Sequence, residues 1–356
     1  MNKIYINSIK QISAQQPLVD DWFENPVFYS EASVRAIEPD YKQFFTPNET
    51  RRLKKILKRA LLVSRQTMAE SGVEMPDAII TATGLGCIEN TEIFLDKLMR
   101  EGEKLLNPTP FMQSTHNTIG STIGMDLKCH GYNTHYSQKY VSFECGLQDA
   151  FLQLQNENIH SVLLSAHDEH SPIFDSILKH LNCWHFSNGG FKSELAISMM
   201  LTNQQSSKNL CCVDDMLMCY KPSISNLQKE LQKLLEQNWM KMSEIDAVFV
   251  GINGNENNDS IYFANAETLF PNVPVVRYKN LFGEHFTVSG LGLYVAAVCL
   301  QRGKIPDFLR YEMLDMRLSD MSSLTSHIPN PISKILFYNH SENKEHTIIL
   351  LTNEKQ

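Results

Sequence analysis

The sequence predicts an α/β fold, because short apolar segments of strand length alternate along the chain with longer segments that carry one apolar helical stripe. Residues 77–83 and 161–166 are apolar runs typical of buried strands. In residues 143–154, by contrast, apolar side chains recur every three or four positions, as on one face of a helix. The same order of elements recurs beyond residue 209, so we expect two halves of similar layout.

The composition indicates a folded protein with a sizeable core. The chain has 356 residues, of which 42% are hydrophobic and 20% charged, enough for about two domain-sized units. Its formal net charge of −8 argues against a nucleic-acid partner. Residues 1–13 lack the apolar region of a signal peptide, and no apolar run is long enough to span a membrane. Eight cysteines without a CxxC pair indicate reduced thiols, so we expect a cytoplasmic protein without a cofactor.

The first predicted elements are a strand and a long helix. Residues 3–9 alternate apolar and polar side chains, which predicts an opening strand. Thr46, Pro47 and Glu49 form the start signal of a helix, with a capping residue, a proline in the first turn and a glutamate three residues after the cap. A buried apolar stripe follows, and Gly72 ends this helix.

The strand at residues 77–83 leads into a Gly-Leu-Gly sequence at 84–86. This sequence predicts a tight turn and not a phosphate loop, because neither a third glycine nor a lysine follows. Residues 107–118 then form a loop punctuated by prolines, and residues 119–125 a short helix.

A strand, a sharp turn and a buried helix follow one another in the middle of the chain. Residues 134–136 form the strand, and a polar turn connects it to the helix at 143–154. This geometry places one side chain of the turn at a helix N-terminus, where partial positive charge activates a nucleophile. We therefore expect a cysteine or a serine in the turn.

The strand at residues 161–166 is followed by His167, Asp168, Glu169 and His170. These four side chains lack the helical i, i+4 spacing with a third ligand that zinc sites use, so no metal site is predicted. A glycine turn and a further strand are expected within residues 183–201.

The polar segment 203–209 is the expected boundary between two halves, residues 1–205 and 206–356. The second half repeats the order of strands and helices. We predict strands at 210–219, 245–250, 335–338 and 347–351, and helices that begin at Ser223 and Ser289.

The central segment resembles the nucleophile region of β-ketoacyl synthases of the thiolase superfamily. That region reads Gly-Pro-Asn, a short strand, Ala-Cys-Ala/Ser-Ser/Thr-Gly and a helix that ends in an Asp/Glu-Ala pair. Gly131 and Asn133 match its beginning, Asp149 and Ala150 match its end, and without a gap Tyr140 falls on the cysteine position. A phenol with a pKa of about 10 is a poor acyl acceptor at neutral pH.

The positions of the two histidines of the family are also changed. Residues 250–255 match Val-x-x-His-Gly-Thr, and Asn253 stands at the histidine. Residues 279–284 match Lys-Ser-x-x-Gly-His, where Lys279 is retained and Glu284 stands at the histidine. Asparagine cannot exchange a proton, and a carboxylate would repel an enolate. A slip of one residue would bring His285 into the second histidine position.

The resemblance implies a thiolase-like fold, with two similar βαβαβ-type halves in a layered α-β-α-β-α arrangement. It also places Phe191 in a retained Gly-Phe motif, and His116 and Asn117 at the acyl pocket or the dimer interface, although these two could equally cap local backbone. The family closes with a Gly-Phe-Gly-Gly gate, whereas the matching connection here, residues 339–346, contains no glycine. A flexible gate is therefore not expected.

The loss of three catalytic positions suggests a subunit that does not condense on its own. The resemblance implies a role like that of chain-length factors in type II polyketide and aryl-polyene systems, which pair with an active ketosynthase and shape its acyl tunnel. The expected partners are an acyl carrier protein and this ketosynthase. Tyr140 would then line or plug the tunnel, or be an ordinary half-buried tyrosine.

Two other functions remain open from the sequence. The chain could be an active 3-oxoacyl-carrier-protein synthase or acyltransferase that uses Cys145 as a displaced nucleophile, although this thiol lies inside the predicted helix beside Phe143 and Leu147. It could also be a homodimeric acyl-binding protein that kept the pocket and lost the chemistry.

Overall fold

A computed structural model of the chain describes residues 3–103, 106–181, 184, 186, 189–311 and 328–353. Ten strands lie in these residues: β1 (Ile4–Ile12), β2 (Ala78–Ala82), β3 (Tyr132–Tyr136), β4 (Ser161–Asp168), β5 (Leu195–Thr202), β6 (Cys211–Tyr220), β7 (Ala247–Val250), β8 (Val275–Arg277), β9 (Lys334–Ser341) and β10 (Glu345–Thr352). The predicted α/β class is confirmed.

The α-helices in the described residues are α1 (Pro47–Thr50), α2 (Lys55–Ser71), α3 (Ile88–Glu101), α4 (Pro108–Met112), α5 (Thr118–Asp126), α6 (Ser142–Gln153), α7 (Pro172–His180), α8 (Ile224–Gln237), α9 (Glu256–Leu269), α10 (Lys279–Phe282) and α11 (Ser289–Arg302). The strand expected within residues 183–201 is β5. Of the segment before it, residues 183, 185, 187 and 188 lie outside the described residues.

The strand order shows an internal repeat. The strands follow one another as β3-β2-β4-β5-β1-β6-β10-β9-β7-β8. In the first five, β2 runs parallel to β3 and β4, and β5 is antiparallel to β4 and β1. In the last five, β7 runs parallel to β8 and β9, and β10 is antiparallel to β9 and β6. We propose the connection between β5 and β6 as the division into residues 1–205 and 206–356.

Helices cover the strands in layers, because adjacent strand residues pack into different clusters. Ile80 and Phe249 belong to the cluster that contains α6 and α11, so these two helices lie between the sheet halves. Ile79 packs on the opposite face with α2 and α5, and Val248 packs with α8 and α9. Alternate side chains of a strand point to opposite faces of a sheet, which accounts for this sorting. The result is the α-β-α-β-α arrangement that the resemblance implies.

The helix predicted from Thr46 to Gly72 is two helices. The capping box is confirmed, since the backbone N–H of Thr46 donates to Glu49 Oε2 at 2.7 Å. It starts only the one-turn α1, and the chain at Lys54 is extended before α2 begins. Leu53 still packs against the cluster around α2, so the apolar contact that suggested a continuous helix forms without one. Gly72, with a φ of +75°, ends α2 as predicted.

Five of the described helices were not predicted from the sequence: α3, α4, α7, α9 and α10. Of these, α4 lies within the segment 107–118 that was expected to be a loop. Helix α3 buries only Asn90, and helix α7 buries only Leu178. Neither helix therefore shows the buried apolar stripe by which a helix is recognised in a sequence. The polar helix α9 buries Asp259 and Tyr262 together with two apolar residues. These helices therefore cannot be identified from apolar residues that recur every three or four positions.

The closing segment is a tight hairpin, which corrects the expected connection at residues 339–346. Asn339 and His340 lie within β9 and His346 lies within β10. Glu342 and Asn343 have φ values of 49° and 55°, as the two central residues of a type I′ turn require. Only three residues separate the strands, so the described hairpin contains no loop that could act as a gate.

A buried charge network fixes α2 to the first half. The Arg59 side chain is 1% exposed, and its Nη2 lies 2.8 Å from Glu194 Oε2 and 2.5 Å from Glu38 Oε1. Burial alone would raise the pKa of Glu194, but Arg59 and Arg35 outweigh it and lower this pKa to about 2. Glu194 is thus a buried carboxylate that depends on its guanidinium partners.

Replacing Arg59 by methionine is therefore expected to lower the free energy of unfolding by ~3–5 kcal/mol, because Glu194 loses its buried partner. Arg65→Met, on the same helix, is the matched control. Its side chain is 30% exposed and pairs with Asp126 and Glu49, so the expected loss is below ~1 kcal/mol. Urea unfolding followed by circular dichroism measures both, and equal losses would contradict the assignment.

Candidate functional site

A cavity of about 440 Å³ opens where the two halves meet, at the carboxyl ends of parallel strands β7 and β9. Its size lies in the usual range of small-molecule sites. Tyr140 before α6, Asn253 after β7, Lys279 in α10, Glu284 and Ser289 around the start of α11, and Asn339 in β9 all lie on its wall. The cavity thus collects Tyr140, Asn253 and Glu284, the three positions that the sequence singled out.

Tyr140 occupies the turn before α6, and the resemblance matches it to the nucleophile of the family. The turn is held by Ser142, whose Oγ accepts the N–H of Gln138 at 2.7 Å and donates to the carbonyl oxygen of Lys139 at 2.7 Å. The Trp184 indole N–H donates to the Tyr140 hydroxyl, and the Phe286 ring lies 4.9 Å from the Tyr140 ring. An aromatic cluster therefore fills the place where the motif would hold a thiolate.

Lys279, Glu284 and Asn253 form one buried group. Lys279 Nζ lies 2.8 Å from Glu284 Oε2, and the Asn253 amide donates to the same carboxylate oxygen. The side chains of Lys279 and Glu284 are 6% and 3% exposed. Glu284 thus holds Lys279 and Asn253 together on the cavity wall.

His285 lies beside this group but engages another carboxylate. Its Nδ1 is 3.6 Å from Asp168 Oδ2, and burial lowers the pKa of the imidazole. Asp168 is mainly a structural acceptor, since it receives the N–H of Thr287 at 2.8 Å and that of Gly84 at 2.8 Å. His285 also lies on the cavity wall.

A second buried network lies behind the cavity, and sequence reasoning did not identify it. The Asn339 amide donates to Glu144 Oε1 at 2.6 Å, and Tyr262 donates its hydroxyl hydrogen to Asn339 Oδ1 at 2.8 Å. Burial raises the pKa of Glu144, which favours its protonated form. Glu144 and Asn339 are 195 residues apart in sequence, and no motif match singled out either side chain, so only their contact could reveal them.

The four residues after β4 that carry potential metal ligands go to separate environments. His167 is fully buried, and this burial lowers its pKa to about 3. Desolvation raises the pKa of Glu169 to about 8. His170 Nδ1 lies 3.1 Å from Asp175. Among the described residues, no group of three or more His, Cys, Asp or Glu side chains is arranged to hold a metal ion.

The other candidate residues lie away from the cavity wall. His116 and Asn117 are exposed at the start of α5, where Asn117 occupies the capping position without a side-chain cap hydrogen bond. Phe191 is buried against Tyr29, with ring centroids 5.4 Å apart. Cys145 is the fourth residue of α6, with its Sγ 3.0 Å from Gln138 Oε1. Partial burial raises the pKa of its thiol to about 11.

The family model described as the β-ketoacyl synthase N-terminal domain matches residues 22–250. The chain belongs to the β-ketoacyl synthase family. No curated protein matches its sequence. In the described residues, no helix is both long and apolar enough to cross a membrane.

Solved structures of ketosynthases share its fold. A β-ketoacyl synthase from Burkholderia phymatum has 13% sequence identity and a TM-score of 0.79, with 100% of both chains covered. A ketosynthase in complex with its chain length factor from Xenorhabdus doucetiae has 14% identity and a TM-score of 0.79, covering 99% of this chain and 98% of that one. A type II polyketide synthase acyl-carrier protein in complex with its ketosynthase has 13% identity and a TM-score of 0.75, with 99% of both chains covered.

The Cys145 thiol is expected to be unreactive at neutral pH. A pKa of about 11 leaves roughly a hundredfold less thiolate than an ordinary cysteine has. Iodoacetamide alkylation followed by peptide mass spectrometry should therefore be slow at pH 7.5 and accelerate up to about pH 11. The same cysteine in the urea-unfolded chain is the control. Rapid alkylation of the folded chain at pH 7.5 would contradict this prediction.

Proposed function

We propose that this chain is a non-condensing ketosynthase-like subunit that pairs with an active ketosynthase and shapes its acyl tunnel during carrier-protein-dependent fatty acid or polyketide synthesis. The observation that carries the proposal is that one cavity brings together Tyr140, Asn253 and Glu284, the residues that the sequence resemblance matches to the three catalytic positions of the family. The family fold is present around them, and the set of groups that condensation requires is not.

The chemistry of these side chains argues against condensation. A tyrosine hydroxyl that accepts the Trp184 N–H is a weak nucleophile at neutral pH. The enolate formed on decarboxylation needs hydrogen-bond donors around its oxygen, and here the carboxylate of Glu284 lies at that position. Lys279 is engaged by Glu284 at 2.8 Å, so its charge is already balanced. Cys145 lies outside the cavity wall and has a raised pKa.

The free edge of strand β3 is a candidate contact surface for the partner subunit. Among the described strands it pairs only with β2, so its other edge offers free backbone groups. Apolar side chains are exposed around it, including Met125 at 74% and Tyr132 at 40%. Exposed apolar patches next to an open edge are typical of interaction sites. His116 and Asn117, at the start of α5, belong to the same region.

A basic cluster supports the docking of a carrier protein with an acidic surface. Five cationic side chains lie within eight residues at the start of α2: Arg51, Arg52, Lys54, Lys55 and Lys58. No ion pair links any of them to another described residue, and the chain as a whole has a net charge of −8. Because the rest of the chain is acidic, an acidic partner is attracted to this basic cluster and repelled elsewhere on the surface.

Intact-protein mass spectrometry tests the proposed role. The chain is incubated with acyl and malonyl carrier-protein thioesters, alone and together with a coexpressed ketosynthase. We expect no covalent adduct on this chain, an acyl adduct on the ketosynthase, and a product whose length changes when this chain is omitted. The physical reason is that the cavity offers no thiolate to accept the acyl group.

An acyl adduct on this chain alone would overturn the proposal, and the variants Tyr140→Phe and Cys145→Ala would then locate it. If neither chain is acylated and this chain forms only homodimers, the homodimeric acyl-binding protein is the better assignment.

Reversing two charges of the basic cluster should weaken carrier binding. We expect Arg51→Glu with Lys55→Glu to raise the Kd for the carrier protein at least about tenfold, because exposed charge pairs contribute up to about 1 kcal/mol each and two attractions become repulsions. Lys229→Glu with Lys233→Glu on α8 changes the net charge equally and is the control. Isothermal titration at low and high salt measures both, and an equal effect of the two variants would contradict the assigned surface.

A further inference from the structure

The wall of the cavity carries hydrogen-bonding capacity that the protein itself does not use. Glu284 Oε1 has no hydrogen-bond partner among the described residues, although the side chain is almost completely buried. Lys279 donates one of its three ammonium protons to Glu284 Oε2. Buried polar atoms without partners are unfavourable, so a ligand that pairs with them is favoured. The wall thus offers a free acceptor next to a cationic donor.

The charge balance of the wall selects an uncharged ligand. Lys279 and Glu284 neutralise each other at 2.8 Å, and both are buried. A ligand carboxylate would have to give up its hydration and would also meet the carboxylate of Glu284. A ligand ammonium group would likewise lose its hydration beside Lys279. Neutral hydroxyl and carbonyl groups avoid both costs.

Part of the cavity wall is apolar and aromatic. The Phe286 ring lies 4.9 Å from that of Tyr140 and 5.1 Å from that of Trp184. All three rings line the cavity of about 440 Å³. Such a wall favours the hydrocarbon part of a short acyl chain.

We propose that this cavity binds a short 3-hydroxyacyl group, in which a hydroxyl lies close to a thioester carbonyl. The hydroxyl donates to Glu284 Oε1, the carbonyl accepts from Lys279 Nζ, and the chain lies against Trp184 and Phe286. This inference rests on the proposed function, because it takes the occupant of the cavity to be an acyl chain. It adds a preference for a hydroxylated, uncharged acyl group over a carboxylated one.

Fluorescence titration of the isolated full chain tests this preference. Trp184 is the indole on the cavity wall, whereas Trp22 is buried elsewhere and Trp239 is exposed. The probes are the 3-hydroxyhexanoyl, hexanoyl and succinyl thioesters of N-acetylcysteamine. We expect 3-hydroxyhexanoyl to bind about tenfold more tightly than hexanoyl, as a hydrogen bond to a charged group implies, and succinyl to give no saturable signal.

The variant Glu284→Gln distinguishes recognition from a general effect on folding. It keeps the side-chain shape but leaves Lys279 uncompensated, so succinyl binding should appear and the advantage of the hydroxyl should fall to about twofold or less. Trp239→Phe is the control, because this indole is exposed and lies outside the cavity wall, so the change in fluorescence and the preference for 3-hydroxyhexanoyl should both persist.

Equal affinities of the intact chain for 3-hydroxyhexanoyl and hexanoyl, or a preference for succinyl, would overturn the inference. Since this experiment contains no ketosynthase and no carrier protein, such a result leaves the proposed subunit role to its own test. Conversely, an acyl adduct on this chain would overturn that role without changing the measured ligand preference.

Discussion

The buried ion pair between Lys279 and Glu284 is the interaction on which the organisation of the cavity depends. Two opposite charges held at 2.8 Å in a desolvated position are stable only together, because either one alone would be an uncompensated buried charge. Asn253 adds a hydrogen bond to the same carboxylate oxygen from the end of β7. The pair therefore joins the segment after β7 to the connection between α10 and α11, and it sets the polarity of the site.

The polar side chains of this wall bind one another. Condensation requires groups that exchange protons and accept an acyl chain, and these groups must remain available to the substrate. Here the amide of Asn253 and the carboxylate of Glu284 bind each other and Lys279, and the Tyr140 hydroxyl binds the Trp184 indole. The layered scaffold of the family is present, and these polar groups on the cavity wall are paired with one another.

The helices between the two sheet halves hold the backbone around the cavity in place independently of the side chains on its wall. Helices α6 and α11 are packed on both sides by strands, so their positions are fixed by apolar contacts that do not involve the site. The network of Glu144, Asn339 and Tyr262 ties α6 to β9 and α9 directly behind the cavity. The side chains at the cavity wall can therefore differ from those of a condensing enzyme while the backbone around them keeps its course.

Local pattern determined much of this protein from sequence alone. The periodicity of β2, β4 and α6 identified buried elements, and ungapped motif spacing placed Tyr140, Asn253 and Glu284 at one site, where the structure brings them together. Only the tertiary structure decided that Glu284 pairs with Lys279, that Glu144 contacts Asn339, and that the helix expected from Thr46 is broken before α2. The reason is physical: periodicity reports which face of an element is buried, whereas partners distant in sequence are chosen by packing, which the local pattern does not contain.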